Sequence, residues 1–151
     1  MGNLFGSIYC WLEEFFGIEL ANYLWGVYSS NQVNLFIGIG FAMIGISLFM
    51  VIAYYYLIDH PRLCNWWGWG IFLTINAVVN FIVGWQYVLT DFYNGLMVKI
   101  DPVTNAQISI DISSTELLAF GATNMINSII AFFVITFIIK WWSTNCSRAP
   151  F

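Results

Sequence analysis

The chain has 151 residues, of which 60% are apolar and 8% charged, and its net charge is −4 at neutral pH. Soluble domains run at about 45–50% apolar and about 25% charged. Eight acidic and four basic side chains cannot clothe a fold of this size in water, and nothing resembles the basic footprint of a nucleic-acid binder. The solvent for most of the surface is therefore expected to be lipid.

Residues 1–32 form an apolar N-terminal segment that carries Glu13, Glu14 and Glu19. Each carboxylate costs about 2–3 kcal/mol at the centre of a lipid-facing helix. The three do not share one helical face, so a single sheltered stripe does not accommodate them all, and Gly17 divides the run. The expectation is a pair of interfacial helices, with a fourth span packed inside an oligomer as the alternative. Ser29-Ser30-Asn31-Gln32 supplies turn chemistry at its end.

Three charge-free runs follow, each longer than the roughly 18 residues that a bilayer crossing needs. They cover residues 33–58, 66–89 and 117–139, the last closed by Lys140, Trp141 and Trp142. Between the first two lies a short loop, 59–65, with Asp59, His60 and Arg62. The four basic residues divide three (Arg62, Lys140, Arg148) against one (Lys99) between the two sides. The positive-inside rule then assigns the 59–65 loop and the tail 143–151 to the cytoplasm, and the loop 90–116 to the other side. Tyr54, Tyr55, Tyr56, Trp66, Trp67, Trp69, Trp141 and Trp142 gather near the first interface. Trp25, Tyr28, Trp85, Tyr87, Phe92 and Tyr93 gather near the second, forming two aromatic belts.

The long loop alternates in polarity through residues 98–101, turns at Pro102-Val103-Thr104-Asn105, and alternates again through residues 107–112. This is the pattern of a β-hairpin, with Ile108, Ile110 and Ile112 on one face. That face is expected either to pack on the chain's own N-terminal helices and the membrane surface or to dock a neighbouring chain. Ser113 and Glu116 have capping-box spacing, so the last helix is expected to start just outside the membrane.

Inside the spans, Gly38, Ala42 and Gly45 form a stripe of small residues on the first helix, the kind of surface that lets helix backbones approach in lipid. The second span places Asn76, Asn80 and Gly84 on one face. The third places Gly121, Asn124, Ser128 and Ala131 on one face, with Asn127 beside it. Amides facing lipid are costly, so this polar stripe (Asn76, Asn80, Asn124, Asn127, Ser128) is expected to bond across helices, with a hydrated path for ions or small solutes as the sharper alternative.

Catalytic signatures are missing. The sequence has no P-loop, G-x-S-x-G, H-E-x-x-H or dinucleotide fingerprint. His60 is its lone histidine, and Cys10, Cys64 and Cys146 are too scattered for a zinc site. The reading is an all-α membrane protein: a bundle of three transmembrane helices (a fourth being the alternative), with N-terminal interfacial helices and a small extracytoplasmic hairpin. No enzyme activity, cofactor, metal or nucleic-acid partner is expected. The expected partners are the bilayer, further copies of the chain and unrelated membrane subunits. The corresponding function is a non-catalytic subunit of a multi-chain envelope complex, such as a secretion or trans-envelope machine in a bacterial inner membrane. The alternative is a homo-oligomeric pore.

Overall fold

The computed structural model describes residues 2–28, 33–58, 65–101 and 106–141. Residues 29–32, the loop residues 59–64 with Asp59, His60, Arg62 and Cys64, the turn 102–105 and the tail from Trp142 to Phe151 lie outside the described residues. The chain is mostly helical. In order it forms α1 (Gly2–Cys10), α2 (Glu13–Phe16), α3 (Ile18–Trp25), α4 (Phe36–Ile52), α5 (Trp66–Tyr93), β1 (Val98–Ile100), β2 (Gln107–Ser109) and α6 (Ser114–Lys140). Three helical stretches, Phe36–Tyr56, Trp66–Tyr93 and Ser114–Lys140, are long and apolar enough to cross a membrane.

Each long helix begins where the sequence offers a polar acceptor for its orphan amides. Asn34 Oδ1 accepts from the Phe36 N–H at 3.0 Å. Asn65, in extended conformation, accepts from the Gly68 N–H at 3.0 Å. At α6 the box is reciprocal: the Glu116 N–H donates to Ser113 Oγ at 3.3 Å, and the Ser113 N–H donates to Glu116 Oε2 at 2.8 Å. Lys140 in the last turn complements the α6 dipole. Replacing Ser113 by Ala should lower the unfolding free energy by about 1 kcal/mol. A thermal melt of the detergent-solubilised protein reads this as a lower midpoint. An unmoved midpoint means the box stabilises nothing.

The N-terminal segment breaks twice. Gly17 takes φ 96°, a conformation that a side chain resists, and there the chain passes from α2 to α3. Trp11 and Leu12 form a second break, between α1 and α2. The resulting α1 runs antiparallel to α4: Phe5 lies against Gly40 and Tyr9 stacks on Phe36 with ring centroids 5.2 Å apart. At the other end, α4 continues into a π-helical segment, Ala53–Ile58, which buries Tyr54 and Tyr55.

Two apolar clusters result. One joins Tyr9, Phe16, Leu20, Leu24, Phe36, Val88, Met97, Leu117 and Phe120 at the hairpin end. The other joins Val51, Tyr54, Tyr55, Trp69, Phe132 and Ile139 at the opposite end. The hairpin pairs Val98 with Ser109, Lys99 with Ile108, and Ile100 with Gln107. It is tied back through the Ile110 N–H to the Met97 carbonyl at 3.0 Å. An exposed ion pair, Lys99 Nζ to Glu19 Oε1 at 3.9 Å, links it to α3.

Candidate functional site

The two apolar clusters are separated by a polar band in the middle of the bundle. Asn76, Asn80, Asn124, Ser128 and Ser47 are fully buried there, and Asn127 is 3% exposed. Two of the four amides bond from helix to helix, and a third bonds within its own helix. Asn76 Nδ2 donates across to the Ser128 carbonyl at 3.2 Å, and Asn124 Nδ2 donates back to the Asn80 carbonyl at 2.6 Å. Asn80 Nδ2 reaches both the Asn76 carbonyl, at 3.0 Å, and Asn76 Oδ1, at 3.1 Å. The Tyr9 hydroxyl donates to Asn124 Oδ1, which brings α1 into the same network. One turn from the far end, Trp69 Nε1 donates to Thr136 Oγ1 at 3.4 Å.

Close approach of α5 and α6 makes these bonds possible, and two glycines allow it. A Cβ on Gly84 would lie 2.8 Å from Asn124 Cβ. A Cβ on Gly121 would lie 3.0 Å from Trp85 Cβ and 3.1 Å from the Phe81 carbonyl oxygen. The first distance is shorter than carbon tolerates, and the other two are tight enough that the neighbours would have to give way. The glycines and the amides are thus two halves of one contact, which is why they alternate along the same helix faces.

Not every polar atom in the band is used. Ser47 Oγ, Asn80 Oδ1 and both amide atoms of Asn127 are buried with no partner among the described residues. An unpaired amide in an apolar interior is expensive. Asn127 lines a groove of about 500 Å³, which runs between α1 (Leu4, Phe5, Ile8, Trp11), α4 (Met43, Ile44) and α6 (Ile130, Val134, Ile135). Its walls are apolar, and Asn127 supplies the polar side chain.

The other residues singled out in the sequence fall as follows. Gly38, Ala42 and Gly45 are exposed along the outer face of α4, and nothing lies within 4 Å of a Cβ placed on Gly45. Within the chain the close approach to α4 is made instead at Gly40, under Phe5. Ile110 and Ile112 are buried in the chain's own core, each 5% exposed, while Ile108 is 44% exposed. The isoleucine face thus leaves the core as the hairpin extends past the helices, and Ile108 is the member open to a partner.

Near the hairpin, the Tyr23 hydroxyl donates to Asp91 Oδ2 at 3.1 Å. Burial and that carboxylate hold the phenol above its ordinary pKa. Burial, with Glu13 alongside, pushes the Cys10 thiol up to about 11, so it stays protonated at neutral pH. Among the described residues, no three His, Cys, Asp or Glu side chains come together as a metal site would require. Tyr9 was invisible as a site residue in the sequence, being 115 positions from its partner and part of no repeating pattern. No protein family, curated protein or solved structure matches this chain.

Proposed function

We propose that the chain is an integral membrane protein, and that it serves as a non-catalytic subunit that assembles with other chains in the bilayer. Its three long helices cross the membrane, with the Lys140 end cytoplasmic and the hairpin on the opposite side, as the positive-inside count requires. The observation that carries the reading is the division of polar and small residues between inside and outside. The asparagines turn inward, and Asn76 and Asn124 spend hydrogen bonds on the neighbouring helix of the same chain. The small residues Gly38, Ala42 and Gly45 turn outward, where a second helix can approach closely. A pore lined by the amides has less support, because Asn76, Asn80 and Asn124 are buried between α5 and α6 and do not face a shared lumen.

The test is the mass and composition of the complex purified from membranes in mild detergent. The protein should resist alkaline carbonate extraction and emerge in an assembly of fixed stoichiometry. Replacing Gly38 and Gly45 together by Leu should shed partners while the isolated chain still folds, since a Cβ at Gly45 meets nothing within 4 Å and one at Gly38 meets the Tyr87 hydroxyl, at 4.0 Å. Release by carbonate would remove the membrane reading. A strictly monomeric protein in bilayers would remove the subunit reading. Ion conductance lost on Asn80→Leu, with assembly intact, would favour the pore instead.

A further inference from the structure

Strand β2 has an edge that the fold leaves open, and the ladder shows which of its atoms face outward. The Asp101 N–H donates to the Ala106 carbonyl and the Ile110 N–H to the Met97 carbonyl, both at 3.0 Å. In an antiparallel ladder, bonded pairs alternate with unbonded ones. Lys99 and Ile108 are therefore a bonded pair, whereas Val98 with Ser109 and Ile100 with Gln107 are unbonded pairs. The N–H and C=O groups of Gln107 and Ser109 thus point away from β1. Among the described residues no backbone group meets them there.

The two edges of the hairpin differ. On β1 the Val98 N–H is taken by the Leu96 carbonyl at 3.0 Å, and Lys99 reaches Glu19 on α3. Val98, Ile100 and Gln107 share a cavity with Tyr23 and Leu35, so the hairpin leans across the end of the bundle. Every residue of β2 is exposed. Its register is regular and its residues are neutral, so it lacks the lysine, proline or bulge that blunts a free edge. A two-stranded hairpin is marginal in water, and further strands stabilise it.

We propose that β2 pairs with β2 of a second copy, antiparallel and about a two-fold axis through Ile108. This deepens the subunit reading and rests on it, because a bilayer holds upright copies at one height and brings their edges level. An axis along the membrane normal keeps both copies in one orientation, and it returns a strand lying across it as an antiparallel partner. In this register Gln107 faces Ser109 of the second copy, and each such pair exchanges both backbone bonds. The two Ile108 residues meet at the unbonded site, where side chains lie closest, and each covers the other's exposed surface. An axis through Ser109 would set Ile108 against Ile110, which is already buried in its own core. No like charges oppose one another within the strand. Such a contact uses the same patch on both copies and closes at the dimer.

The test uses Ile108→Cys in a background of Cys10→Ser, Cys64→Ser and Cys146→Ser, reconstituted in phospholipid vesicles and oxidised with copper phenanthroline. Opposed residues at an unbonded site have Cα atoms about 4.5 Å apart, within reach of a disulfide. A cross-linked dimer should form, and Ile100→Cys, on the far strand, should stay monomeric. Ser109→Pro removes an outward N–H and spares the ladder to β1. It should lower dimer yield at limiting density by about 10- to 30-fold, and Ser109→Ala should preserve the yield. A second pair of variants does not depend on the hairpin tolerating proline. Gln107→Lys with Ser109→Lys sets like charges opposite one another and should lose the dimer, whereas Gln107→Lys with Ser109→Glu should keep it.

A monomeric Ile108→Cys protein overturns the proposal, as do equal yields from Ile108→Cys and Ile100→Cys. A yield unchanged by Ser109→Pro or by the like charges overturns it too. Co-purification with unrelated chains but no Ile108→Cys dimer would end this inference and leave the subunit reading standing. Release of the chain by carbonate would end both.

Discussion

Gly84→Ala should be among the most damaging single substitutions in this chain, although it adds one methyl group. The new Cβ would meet Asn124 Cβ at 2.8 Å, so α5 and α6 must separate or Asn124 must abandon its place. Overpacking of an interior typically costs about 1–3 kcal/mol. Here the displacement also strains the Asn124–Asn80 bond at 2.6 Å, so the loss should fall at or above the top of that range. The control is Gly45→Ala, a chemically identical change on α4 with nothing within 4 Å of the new atom. It should be neutral or slightly stabilising, since alanine is the better helix former by about 1 kcal/mol in water. Denaturation in mixed micelles compares the two directly. Equal stabilities would mean that α5 and α6 are not packed at the distance described here.

The second large effect is expected at Asn124, where three segments meet. Its amide nitrogen donates to α5 and its amide oxygen accepts from Tyr9 on α1. Asn124→Leu removes both bonds and leaves the Tyr9 hydroxyl buried without an acceptor, a loss of about 1–3 kcal/mol. Tyr9→Phe removes the hydroxyl but keeps the ring stacked between Phe36 and Phe120, so it should cost less, about 1 kcal/mol. The double variant should be more stable than the sum of the two losses implies, because the orphaned hydroxyl is gone. A coupling energy of about 0.5–2 kcal/mol between the sites is the expected reading. Limited proteolysis supplies a second readout: α1 should become cleavable in Asn124→Leu while α5 and α6 stay protected. Strict additivity would mean that Tyr9 and Asn124 do not interact.

Much of this architecture was legible in advance because long charge-free apolar runs leave few options. A charge-free apolar run of about 18 residues or more is read as a helix long enough to cross a bilayer, and three such helices appear where the runs lie. Their starts were readable too where a cap was written locally, as at Ser113 and Glu116. The inward face of α5 and α6 could be read from Asn76, Asn80, Gly84, Gly121 and Asn124, since amides and glycines have no reason to alternate helically on a lipid-facing surface.

What could not be read was which surface meets which. The stripe Gly38-Ala42-Gly45 signals close approach without saying whether the partner lies in the same chain, and internally Gly40 is the residue used. Period two put Ile108, Ile110 and Ile112 on one face, but no local pattern says where along that face the core ends. The π-helical turn at Ala53–Ile58 and the break at Trp11–Leu12 carry no punctuation such as proline or a polar cluster. Nor does any periodic signal connect Tyr9 to a residue near the other end of the chain.

That last connection bears on the order in which the protein can be made. Synthesis delivers α1 first, yet the groove that seats it is walled by α6, and Asn124 is 115 residues downstream. At the usual pace of about 5–20 residues per second, the first helix spends several seconds beside the ribosome with no berth. Phe5 and Tyr9, buried in the finished fold, then lack the cover that the later helices supply. A nascent chain arrested before α6 emerges should therefore hold α1 in a protease-sensitive, unseated state, and its release should convert that state to the protected form in a single late step.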